Sequence, residues 1–149
     1  MGIGRIAPRG RPLLATVPIL LLAVGCTAGG RSAPGRTLGM DEHDFRIDAA
    51  AATIPAGTVT FVVHNDAPAT HEFVLVRTDD RADELPLATD GITVDEDALT
   101  SLGELSEVPP GAQQTLTLSL PAGRYVFFCN MEGHYLGGMH GVLEVTADA

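Results

Sequence analysis

"YVFFCNMEGHYLGGMHGVLEV", residues Tyr125–Val145, decides how this chain is read. It opens on Tyr125-Val126-Phe127-Phe128, aromatic and β-branched residues that favour a strand. A second strand pattern begins at Gly141 and runs to Thr146. Between the two lie Cys129, His134 and Met139, spaced as C-x4-H-x4-M. Cys129 ends the first strand, so its thiol can point into the domain. Asn130-Met131-Glu132-Gly133 can turn the chain so that His134 faces that thiol. Tyr135-Leu136-Gly137-Gly138 can then bring Met139 to the same point. The glycines supply the backbone freedom that a tight ligand loop needs.

Thiolate, thioether and imidazole together form a donor set that favours copper. Zinc accepts the first and last, but a long thioether bond suits copper better. A mononuclear copper site of this kind wants a second imidazole. His140 adjoins Met139, and neighbours on an extended chain point opposite ways. His71 is the better donor, because it follows the turn-rich loop Asn65–Thr70 and begins the apolar run His71-Glu72-Phe73-Val74-Leu75-Val76. The structural alternative is a core cysteine with surface histidines. Met131 and His140 read as bystanders, and His43 and His64 as unattached. Met40 and His43 read as a solvated N-terminal edge, with a weak extra copper-binding tail as the alternative.

Working outward, Thr58–Val63 alternates, with Val59, Phe61 and Val63 on one face. Gln114–Leu120 alternates too, placing Leu116, Leu118 and Leu120 inward. Pro55-Ala56-Gly57, Pro109-Pro110-Gly111 and Pro121-Ala122-Gly123 are turn signals between such runs. Short strands with these turns predict an all-β sandwich or barrel. Residues Asp79 to Val108 break the rhythm and read as an acidic loop excursion. Asp95-Glu96-Asp97-Ala98-Leu99 suits a short helix, its acids at the positive end.

The chain has 149 residues and a formal net charge of −10. That length suits one domain plus a segment outside it. Lysine is absent. The N-terminal Arg5, Arg9 and Arg11 leave 6 arginines against 19 acids elsewhere, a net of −13. Such a surface repels nucleic acid and favours basic partners or cations. The first acid is Asp41.

Before it, a basic start leads into an apolar run, Leu13–Val24, and then small residues. This is the layout of a secretory signal over residues 1–25, too short for a comfortable membrane span. Leu22-Ala23-Val24-Gly25-Cys26 resembles a bacterial lipobox, with Ala23 where leucine is usual. The resemblance implies a lipidated Cys26 as the mature N-terminus. Cleavage after a small residue, an uncleaved anchor and a Cys26–Cys129 disulfide are the alternatives. Residues 26–39 read as a flexible tether, which starts the folded domain at Met40 and runs it to residue 149.

With these motifs in place, the chain resembles the cupredoxins, the small blue copper proteins that include plastocyanin, azurin and sulfocyanin. The resemblance rests on Asn65…His71 and on Tyr125-Val126-Phe127-Phe128-Cys129…His134…Met139-x-Gly141. Its Cys-to-His spacing is closer to azurin-like members than to plastocyanin. The resemblance implies a Greek-key β-sandwich with one copper ion, Cu(I)/Cu(II), near one end. It makes His71, Cys129 and His134 the strong ligands and Met139 the weak axial one. It also implies that the His134 ring edge is the electron port, with Tyr135, Leu136 and Gly137-Gly138 as an apolar patch around it. Asn65 belongs to the surroundings that order the ligand loops. Glu72 departs from the family, several of whose members carry Asn or Ser directly after the first histidine. A solvent-facing or supporting role fits Glu72 better than direct ligation.

A site with four protein ligands has no open position for substrate, so an enzyme is not expected. The expectation is a one-electron carrier serving redox proteins of a respiratory or related chain. It would act as a monomer, outside the cytoplasmic membrane, held by a lipid anchor or free in the periplasm or outside the cell. A copper storage or delivery protein is the second reading. Gly133 stands where a dinuclear copper centre needs another cysteine, and multicopper oxidases need His-x-His pairs that do not occur.

Overall fold

The computed structural model of the protein describes residues 1–2 and 35–147. Residues 3–34, which hold nearly all of the expected signal segment, Cys26 and most of the expected tether, lie outside the described residues. Nine strands follow: β1 (Arg36–His43), β2 (Arg46–Ala49), β3 (Thr53–Pro55), β4 (Gly57–Asn65), β5 (His71–Arg77), β6 (Thr100–Val108), β7 (Gln113–Leu120), β8 (Gly123–Phe128) and β9 (His140–Thr146). They form a four-stranded sheet in the order β2-β1-β4-β7 and a five-stranded sheet in the order β3-β9-β8-β5-β6. β1 runs parallel to β4 and β3 parallel to β9. The other pairings are antiparallel. The architecture is the all-β sandwich expected, and it fits a Greek key.

Alternation explains the sandwich. Val59, Phe61 and Val63 of β4 and Leu120 of β7 are buried from one sheet. Phe73 and Leu75 of β5, Tyr125 and Phe127 of β8 and Leu143 and Val145 of β9 meet them from the other. Phe61 and Phe73 touch across the layer, their ring centroids 5.5 Å apart. β5 and β8 are buried on both faces, because Val74, Val76, Val126 and Phe128 join Leu85, Val94 and Tyr135 in an outer cluster. Continuous apolar runs, rather than alternation, are what such a strand needs.

Two boundaries differ from the sequence reading. The domain does not begin at Met40, since β1 starts at Arg36 and pairs with β4 from Arg36↔Val59 onward. Leu38 and Met40 are both in the core, so Met40 does not belong to a solvated edge. The short Leu-Gly-Met alternation is masked in the sequence by the Gly/Ser/Pro/Arg composition just before it. The excursion after Asp79 also ends sooner, because Thr100–Val108 forms β6 on the sheet edge. Its pairing with β5 shifts register between His71 and Phe73 and again between Leu75 and Val76. Each shift inserts a residue into β6, as a bulge does, and the period-two signal is lost. The helix expected near Asp95 is a single 3-10 turn, Glu96–Ala98.

Among the described residues, one acidic residue sits inside the sandwich. Glu42 of β1 is fully buried, and neither carboxylate oxygen has a hydrogen-bond partner. Burial, and then the charge of Glu72, push its pKa up to about 7. The folded state therefore holds a proton that the unfolded chain releases near the ordinary carboxylate pKa of 4.5. This contribution is complete below pH 4.5 and fades as pH rises towards 7, by up to about 3 kcal/mol. We expect the free energy of urea unfolding in the presence of EDTA, measured from pH 5 to pH 7, to have a more negative slope in the wild type than in Glu42→Gln. An identical slope in the two proteins would contradict the account.

Candidate metal centre

Strand order brings the donors together. β8 lies between β9 and β5 in the five-stranded sheet. Cys129 follows the last residue of β8, and His71 is the first of β5, so both stand at the same end of the sandwich. The loop from Asn130 to Met139 then folds back on itself. The His134 N–H donates to the Met131 carbonyl, Gly137 N–H to Gly133 and Gly138 N–H to Tyr135. The Cys129 N–H donates to the Met139 carbonyl at 3.0 Å and the Met139 N–H to His134 at 3.1 Å. These bonds close the loop at its base.

Three donor atoms converge as a result. His71 Nδ1 lies 3.2 Å from His134 Nδ1. Cys129 Sγ lies 3.9 Å from His71 Nδ1 and 3.5 Å from His134 Nδ1. A first-row ion bound trigonally by imidazole at about 2.0–2.1 Å and thiolate at about 2.3 Å would place such donors about 3.5–3.8 Å apart. The triangle observed therefore fits one shared ion. Met139 is fully buried in the same core cluster as Cys129. Its thioether completes the soft donor set that suits copper.

The electrostatics agree. Burial pushes the Cys129 thiol up to about 11, against the backbone N–H groups of Met131 and Glu72, which pull it down. Burial, followed by neighbouring His134, lowers the His71 pKa below its ordinary value and favours neutral imidazole. A bound cation would compensate the thiolate that burial disfavours.

The surroundings hold the donors from several directions. Asn65 is fully buried at the end of β4. Its Nδ2 donates to the carbonyls of Ala69 and Val108, and its Oδ1 accepts from the Ala67 N–H. It thereby fastens the loop that delivers His71. The Glu72 N–H donates to Cys129 Sγ at 3.3 Å. The Glu72 side chain is half-buried and clusters with Glu96 and Glu104 rather than with the histidines. Burial, then Glu96 and Glu104, push it up to about 7. His140 pairs its ring with Tyr135 away from the three donors, 5.2 Å between centroids.

The patch around His134 differs from the sequence reading. Tyr135 is buried, and its hydroxyl accepts the Leu85 N–H at 2.8 Å. The turn carries Tyr135 inward while its neighbour Leu136 stays exposed. Phe45 takes the open place instead. It is exposed, at the tip between β1 and β2, and its ring meets His134 edge-on at 5.5 Å. A side chain at Gly137 would collide with the Phe45 ring and displace it from its place over the loop. Sequence reading also missed Asn130, which binds the backbone of Val94 with both ends of its amide and Glu96 Oε1 at 2.7 Å. Asp44 was missed as well, its Oδ1 3.5 Å from His71 Nε2. Nothing in the local pattern of Asp44, Phe45 or Asn130 signals these contacts.

Comparison with known proteins gives the same picture. Residues 35–146 match the model of copper binding proteins of the plastocyanin/azurin family. Auracyanin-B of Chloroflexus aurantiacus is 35% identical over 104 residues, covering 63% of this chain and 44% of that protein. The chain thus spans under half the length of this curated relative. Among solved structures, reduced auracyanin of the photosynthetic bacterium Roseiflexus castenholzii matches with a TM-score of 0.58 and 25% identity, over 78% of this chain and 99% of that one. Rusticyanin from Thiobacillus ferrooxidans shares the fold, with a TM-score of 0.54 and 17% identity over 76% of this chain and 79% of that one. Its ligand-ready triangle and the match over residues 35–146 place this chain in the plastocyanin/azurin family of copper binding proteins.

Proposed function

We propose that this protein is a type 1 blue copper protein that carries single electrons between redox partners, and is not an enzyme. The observation that carries this reading is the closed triangle of Cys129 Sγ and two imidazole Nδ1 atoms. His71, Cys129 and His134 would hold the copper ion, with the buried Met139 beside them as the fourth donor. Copper bound there would supply the one-electron couple. The protein's part is rigidity. The Asn65 clamp and the hydrogen bonds at the loop base hold the donors in one arrangement for both oxidation states, so little reorganisation accompanies a transfer. A relative of 20% identity, auracyanin A of Chloroflexus aurantiacus, is described as a "blue" copper protein.

His134 is the point of electron entry and exit, because its ring is only partly covered. Phe45 and Leu136 flank it as an exposed apolar rim suited to brief contact. The net charge of −13 outside the leader steers a basic partner from a distance. The leader and lipobox support export and lipid anchoring through Cys26, on the outer face of the cytoplasmic membrane.

The oxidised, copper-loaded protein should be intensely blue, and Cys129→Ser should abolish the colour. A colourless wild type would overturn the electron-carrier reading. Stopped-flow exchange with a small redox dye should outrun copper loss to a chelator. The opposite order would mark copper delivery instead. Mass spectrometry of the native N-terminus should find a diacylglyceryl mass on Cys26, and a mature chain starting elsewhere would refute the anchor.

A further inference from the structure

His71 has two ring nitrogens with different surroundings. Nδ1 faces Cys129 Sγ and His134 Nδ1. Nε2 is buried and has no hydrogen-bond partner of good geometry, but Asp44 Oδ1 stands 3.5 Å away. For Nδ1 to offer its lone pair, the ring proton must sit on Nε2. A buried N–H without an acceptor is costly, and ligating histidines almost always donate that proton to a carboxylate, carbonyl or water. Asp44 is half-exposed and can rotate, so the remaining gap is small.

The position of Asp44 is not accidental. With Phe45 it forms the two-residue tip between β1 and β2. Phe45 adopts φ 62, a left-handed backbone that a bulky residue rarely takes. Its ring lies over Gly137 and against His134, and its carbonyl lies beside Gly138. This packing pins the tip over the ligand loop and holds Asp44 next to His71.

We propose that Asp44 is a positioning residue for the copper site: its carboxylate accepts the His71 Nε2–H, sets the tautomer that frees Nδ1, and adds a negative charge that favours the oxidised state. The copper part of this rests on the function proposed above, whereas the tautomer does not. Nitrogen-15 NMR of the metal-free, full-length protein therefore tests the tautomer first. His71 should be the Nε2–H form in the wild type and in Asp44→Asn, whose amide oxygen still accepts. Asp44→Ala should shift it towards a mixture. In the copper-loaded proteins, Asp44→Ala should lose about 10- to 100-fold in copper affinity. Asp44→Asn should keep most of the affinity yet raise the reduction potential, because only the charge is gone. A role confined to the shape of the turn would leave both tautomer and potential unmoved. An Nδ1–H tautomer in the wild type, or an Asp44→Ala variant with wild-type tautomer and affinity, overturns the proposal. If the wild type is not blue while the tautomer responds to Asp44, the copper reading fails and the hydrogen bond stands.

Discussion

Strand β8 is the element on which the rest depends. It pairs with β5 on one side and β9 on the other, and both of its faces are buried. Phe127 points into the sandwich and Phe128 into the outer cluster. A strand locked on four sides cannot slip by one residue without turning every side chain to the wrong face. Cys129, directly after it, is therefore held in one place, and β5 brings His71 to the same end. Rigidity is a consequence of burial here, and the metal site is built where that burial stops.

The charges follow from the same burial. The interior holds a thiol, an imidazole and the Glu42 carboxyl with little water to solvate them. Each is driven towards its neutral form, the thiol up, the carboxyl up and the imidazole down. Neutral donors with free lone pairs lie ready around one point, and a positive ion there reverses the preference of the thiol. Glu42 is a passenger in this arrangement, protonated in mild acid and losing its proton as pH passes about 7. It contributes more stability to the fold in mild acid than in mild base.

Support for the ligand loop comes from parts of the chain that carry no ligand. The excursion before β6 receives Asn130 through Val94 and Glu96. It also ties Tyr135 through Leu85. The tip between β1 and β2 covers the loop with Phe45 and reaches His71 with Asp44. Outer contacts of this type orient ligands and tune the metal they hold. The same Phe45 leaves an apolar face beside His134, so one turn serves both the support of the site and its outer rim.

The sequence by itself determined the β class, the alternating core strands β4 and β7, and four candidate donor residues. Those features are local: a two-residue period marks a buried face, and three of the donors fall within one short loop. His71 was found because chemistry demanded a second imidazole and a strand began there. Tertiary structure alone decided what lies between elements distant in the chain. β6 escaped notice because two bulges erase its alternation, and β1 because its first residues look like a linker. The inward turn of Tyr135, the exposure of Phe45, the grip of Asn130 and the approach of Asp44 to His71 are contacts between segments. No residue type announces such a contact, because it depends on where the two sheets bring separate turns together.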